Sequence, residues 1–147
     1  MKVKSLGHVV LKVRNQQRAE DFYNGLLGFD IVTRNEDYSM TFFSFGETHH
    51  DFAIIAVGDS ANPPSKESTG LFHAAFKLGN TLEDLKEAKS LLETNGIQVR
   101  TRDHHVSQSL YFNDPDGNPL ELYIDTSDEW KTDPDIIGGN GSELNIE

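Results

Sequence analysis

The segment His8-Val9-Val10-Leu11-Lys12-Val13 returns later in the chain as His73-Ala74-Ala75-Phe76-Lys77-Leu78, with the histidine and the lysine at matching places. A repeat constrains a fold strongly, because each copy must form the same unit and bury its apolar face in the same way. In both copies the strand-like alternation leads into a helix-period stretch and then a glycine stop. Asn15 is placed to cap the first helix, Ala19, Phe22, Tyr23 and Leu26 follow at helical spacing, and Gly28 ends it. Thr81 with Asp84 forms a capping-box pattern for the second helix, Leu85, Ala88 and Leu92 mark its buried stripe, and Gly96 ends it.

Three strands follow each helix. In the first copy they are Phe29 to Thr33, Tyr38 to Phe45 and His50 to Val57; in the second, Ile97 to Thr101, Ser109 to Asn113 and Leu120 to Ile124. Gly58 to Gly70, with Pro63-Pro64 and several Ser and Asn residues, has the composition of a linker. The sequence therefore predicts an α+β fold of two β-α-β-β-β modules, about residues 5–58 and 71–125, within a single domain at 1–125. An acidic tail at 126–147 follows, with 138–147 expected to be disordered.

The composition narrows the chemistry. A formal charge of -11 without Lys/Arg clusters argues against nucleic acid or an anionic membrane as partner. No apolar run reaches the roughly 20 residues of a membrane span, and the start of the chain lacks a signal-peptide pattern, so a cytoplasmic location is expected. Cysteine is absent, so a metal would be held by His, Asp or Glu.

Polar residues recur at strand positions. His8 and His73 begin the first strands of the two copies; counted four residues on from Gly46 and Gly117, His50 and Glu121 also match. In the last strand Leu120, Leu122 and Ile124 share one face, which leaves Glu121 and Tyr123 on the other. A carboxylate in such a strand is costly unless solvated, paired or bound to a metal. If the modules pack side by side, pseudo-twofold symmetry brings His8, His73, His50 and Glu121 together, and two imidazoles with a carboxylate converging on one point are ligands for a divalent metal.

Gly7-His8-Val9-Val10, Phe22-Tyr23, Leu27-Gly28-Phe29, Phe72-His73-Ala74-Ala75-Phe76 and the turn-rich stretch Tyr111-Phe112-Asn113-Asp114-Pro115-Asp116-Gly117-Asn118-Pro119-Leu120-Glu121 resemble the vicinal-oxygen-chelate superfamily. It contains glyoxalase I, type I extradiol dioxygenases, fosfomycin-inactivating enzymes and bleomycin-resistance proteins. The resemblance implies paired modules forming an incomplete barrel around a metal-binding cleft, and a homodimer. Carried over from the ring-cleaving dioxygenases, it implies Fe(II), alternatively Mn(II), Ni(II) or Zn(II), on His8, His73 and Glu121. It also implies His50 as catalytic acid/base, Tyr111 as a contact to bound substrate, and a small aromatic diol with O2 as reactants.

The same resemblance keeps other readings open. A glyoxalase-I-like lyase normally has a fourth protein ligand, usually glutamate, at the place matched to His50; fosfomycin modification uses the same triad, and a binding module without chemistry lacks it. His105 stands where single-domain ring-cleavage proteins more often have glycine. His104 and His105 read as exposed loop residues, with an approach of one of them to the substrate as the alternative, and His49 as structural or as a support behind the site. Phe43, Phe52, Ile54 and Tyr123 are expected to wall the cleft, with Trp130 on the exterior.

Overall fold

The computed structural model describes residues 1–146, which form two compact units: residues 1–68 with 114–118, and residues 69–113 with 119–146. The α+β architecture and the two repeated modules are present. The first unit holds β1 (Val9–Val13), α1 (Gln16–Glu20) running into a π-helical turn (Asp21–Leu26), β2 (Asp30–Asn35), β3 (Met40–Ser44) and β4 (Phe52–Ala56). The second holds β5 (Ala74–Gly79), α2 (Leu82–Thr94), β6 (Arg100–Asp103), β7 (Ser107–Asn113) and β8 (Pro119–Asp125), then two short 3-10 turns. Each unit has one four-stranded sheet, ordered β1-β4-β3-β2 and β5-β8-β7-β6. The opening strand of each module pairs in parallel with its closing strand, and the other pairs are antiparallel.

The helix signals act as predicted. Asn15 accepts the Arg18 amide at 2.9 Å, and Gly28 ends the π-turn at φ +75°. At Thr81 the capping box is complete: its hydroxyl takes the Asp84 amide, and the Asp84 carboxylate takes the Asn80 and Thr81 amides and the Thr81 hydroxyl. These donors hold the Asp84 pKa low, the Thr81 side chain foremost. A Cβ at Gly79 would overlap the Asp84 carboxylate at Oδ2 and Cγ. Gly79→Ala is therefore expected to push that carboxylate off the cap and to cost about 1–2 kcal/mol in urea unfolding, the usual cost of a lost N-cap. In an Asp84→Ala background the same change should cost less, because only the Cβ of residue 84 then remains in the way, at 3.1 Å.

In the first unit Tyr23 is fully buried, with Phe52 at 4.8 Å, Phe29 at 5.7 Å and Phe43 at 6.1 Å between ring centroids. Phe43, Phe52 and Ile54 are thus core residues under the helical segment, and the expectation that they wall a cleft is corrected. The error is one of strand parity: a shift of one residue exchanges the two faces of a strand. Phe42 and Ala53 hold the face that was assigned to them, with the Phe42 ring 5.2 Å from that of His50. Below the same helix the Glu20 carboxylate accepts from Arg34 Nε and Nη2 at 2.8 Å and from the Thr41 hydroxyl, and the Arg34 bonds lead in lowering its pKa.

The register also corrects the repeat. Val9 pairs with Phe52 and Val10 with Ala53, while Ala74 pairs with Leu120 and Ala75 with Glu121. With His8 matched to His73, the counterpart of Glu121 is Ala53 and not His50. Counting from the turn glycines fails because the loop holding Gly46 is longer than the turn holding Gly117. Strand starts shift too: β1, β4 and β5 begin at Val9, Phe52 and Ala74, so His8, His50 and His73 stand just ahead of the ladders they were assigned to.

The tail differs most from expectation. Asp103 and Ser142 exchange backbone hydrogen bonds of 2.8 and 2.9 Å, the Thr101 hydroxyl donates to Leu144 O at 2.6 Å, and Ile146 is buried. β6 is a sheet edge whose outward N–H and C=O groups need partners, and Ser142 meets those of Asp103. Acidic composition does not register this backbone pairing.

Candidate metal-binding and catalytic site

On β7 and β8 the apolar face holds Leu110, Phe112, Leu120, Leu122 and Ile124, all buried. The opposite face is polar. Tyr111 is paired across the ladder with Glu121 and with Arg100, whose guanidinium lies 5.9 Å from the Tyr111 ring centroid. Ser109 is paired with Tyr123. Glu121 is only 8% exposed, and its Oε2 lies 3.0 Å from His73 Nε2. The His73 ring is 5.6 Å from that of Tyr111, and the Tyr111 hydroxyl shares a 2.9 Å hydrogen bond with His104 Nε2. Burial, then the Glu121 carboxylate, pushes the Tyr111 phenol up to about 12, so it stays protonated at neutral pH.

In the first unit the rings of His8 and His50 lie 4.3 Å apart, and His49 Nδ1 is 2.6 Å from His50 Nδ1. The loop before β4 is built on Asp51, whose carboxylate accepts the Phe45 amide and the Thr48 hydroxyl, both at 2.8 Å. Those bonds hold the Asp51 pKa down, the Phe45 amide most of all. The His50 pKa is lowered by partial burial first, then by His8 and His49, which favours a neutral imidazole.

The structure thus brings His73, Glu121, Tyr111 and His104 together in one unit and His8, His49 and His50 together in the other. Among the described residues, no three His, Asp or Glu side chains are gathered as a metal cluster. The donor set nevertheless suits a divalent cation: a buried carboxylate with an imidazole nitrogen turned toward it, and histidine at the equivalent place in the first module. The missed partner is His104, which is half-buried against Tyr111 and not a free loop residue. No sequence signal pointed to the pair, because His104 lies in the β6–β7 turn while Tyr111 sits well inside β7, opposite Arg100. His105 is exposed with φ +69°, a conformation glycine adopts without strain, which accounts for glycine being expected there.

A family model described as the glyoxalase/bleomycin resistance protein/dioxygenase superfamily matches residues 5–122. The chain belongs to this superfamily. Among relatives within it, biphenyl-2,3-diol 1,2-dioxygenase 2 of Rhodococcus globerulus is 34% identical over 80% of this chain. The chain spans 61% of that relative's length. The metallothiol transferase FosB of Staphylococcus haemolyticus is 30% identical over 82% of this chain and 84% of its own. Of solved superfamily structures, a glyoxylase/bleomycin resistance protein/dioxygenase domain from Frankia sp. EAN1pec superposes with a TM-score of 0.69, covering 85% of this chain and 100% of that one. At 19% identity this last likeness concerns the fold alone.

Proposed function

We propose that this protein is an Fe(II)-dependent extradiol dioxygenase that cleaves a catechol-like aromatic with O2. His8, His73 and Glu121 would hold the metal, and His50 and Tyr111 would act on the substrate. The observation that carries the reading is the buried Glu121 carboxylate against His73 with the Tyr111 phenol across the ladder, in a chain a third identical to a ring-cleaving dioxygenase. Bound there, a ferrous ion supplies the redox chemistry that joins a diol to dioxygen.

The residues divide the remaining work. Glu121 supplies the one anionic donor. Tyr111, kept protonated, donates its hydroxyl hydrogen to a diol oxygen, and His104 Nε2 fixes where that hydroxyl sits. His50, held neutral, takes a proton from the second diol hydroxyl at Nε2, since its Nδ1 is engaged with His49. The same reading makes the protein a cytoplasmic homodimer, to be checked by cell fractionation and sedimentation.

The test is anaerobic reconstitution with Fe(II), addition of a panel of catechols, then oxygen. Uptake of one O2 per diol with a yellow ring-opened product is expected; no turnover of any diol would sink the reading. Thiol transfer to fosfomycin is the second reading, because the match to FosB covers most of both chains. Loss of fosfomycin in the presence of Mn(II) and a small thiol, without diol turnover, would establish it instead. A glyoxalase-I-like reaction fits less well, since Ala53, the register counterpart of Glu121, offers no fourth ligand.

A further inference from the structure

Residues 141–146 run along the edge of β6 beside His104. Gly141 adopts φ +62°, and a Cβ there would meet Asp103 O at 2.6 Å and His104 Nδ1 at 3.0 Å. Gly141 therefore lies beside the imidazole on its Nδ1 side, where a side chain would have no room, while Nε2 bonds Tyr111. Beyond Gly141 the segment is anchored at Ser142 by the paired Asp103 bonds, at Leu144 by the Thr101 hydroxyl and at Ile146 by burial. The hairpin carrying the imidazole is fixed independently: His104 N donates to Ser107 O, and Thr126 ties down His105 O and Val106 O. With the hairpin held, the ring retains one freedom, rotation of its own side chain, and Gly141 is the tail residue beside it.

We infer that residues 141–146 are a positioning strap for Tyr111: Gly141 holds the His104 ring in the orientation that sets the Tyr111 hydroxyl. This rests on the proposed role of Tyr111 as a substrate contact, although the strap itself is a matter of ring geometry. Only glycine permits the approach, because any side chain would strike the Asp103 carbonyl and would also be strained at this φ.

The test uses full-length Gly141→Ala, His104→Phe and the double variant. In the wild type the His104 ring nitrogens should show one tautomer by 15N NMR, with the Nε2 signal moved by Tyr111→Phe. Gly141→Ala should average that pattern. It should also lower kcat/KM for the diol by about 10-fold or more, as displacement of a positioning group does. His104→Phe should lower kcat/KM comparably, with little further loss in the double variant, since both changes break one chain of contact. Unmoved His104 signals in folded Gly141→Ala overturn the inference, and so do fully additive losses. Should Gly141→Ala not fold, Ile146→Ala releases the far anchor and is read by the same criteria. If the wild type turns over no diol, the dioxygenase reading fails, while the NMR comparison still decides whether the strap holds the ring.

Discussion

Glu121→Ala protein is expected to lose diol turnover by more than the roughly 10–100-fold that changes in a metal's outer partners cost, and to leave gel filtration without iron. The size follows from what this carboxylate does. It is the one anion in the proposed ligand set, nearly buried on β8, with His73 Nε2 at 3.0 Å and the Tyr111 phenol on the facing strand. Burial of a carboxylate works against folding unless a cation or several donors meet it. The metal-free variant should therefore be as stable as the parent in urea, or more so, while the iron-loaded parent gains stability the variant cannot. Glu121→Gln separates shape from charge: it keeps the volume beside His73 and should lose iron almost as completely. Turnover retained by either variant at the parental rate would remove Glu121 from the site.

Asp114→Ala should be the most destabilising single change in the first unit, at roughly 3–5 kcal/mol, because it orphans several buried donors at about 1–3 kcal/mol each. Asp114 is a buried hub: its carboxylate takes the amides of Asp116 and Asn118, the Asn118 side-chain amide and the Tyr23 hydroxyl, all at 2.8 Å. Tyr23 lies fully buried, and burial first, then Asp114, raises its pKa far above the ordinary value. Tyr23→Phe removes one of those bonds together with its donor and should cost much less, about 1 kcal/mol. Asp114→Asn should fall between the two. Urea midpoints of the three variants give the order, and a mild Asp114→Ala would contradict the hub.

The Asp114-Pro115-Asp116-Gly117-Asn118 stretch was legible as a turn because its residues carry turn chemistry locally. Its long-range partners were not: Arg18, 2.6 Å from the Asp116 carboxylate, and Tyr23 are far away in sequence and carry no pattern that points to it. Capping signals at Asn15 and Thr81 were legible for the same local reason. Strand parity at Phe43 and Phe52 was not, since runs apolar on both faces do not state which face meets the helix. The proximity of His73 and Glu121 comes from the parallel pairing of β5 with β8 inside one module and not from the repeat, and the apparent match of His50 to Glu121 dissolved once pairing replaced counting. The bond from His104 to Tyr111 depends on hairpin register, and the docked tail on main-chain groups common to every residue.

The parallel pairing of β1 with β4 also has a consequence for synthesis. A strand made first must wait for the strand made last in its module, and parallel, non-local pairing is slow to form. The first unit waits longer still, because it includes residues 114–118, so Tyr23 and Arg18 find their carboxylates only after most of the second module has been translated. At about 5–20 residues per second that delay amounts to seconds, during which the nascent first half is an unfinished sheet. A ribosome-bound chain stopped before Asp114 is accordingly the form of this protein most in need of a chaperone.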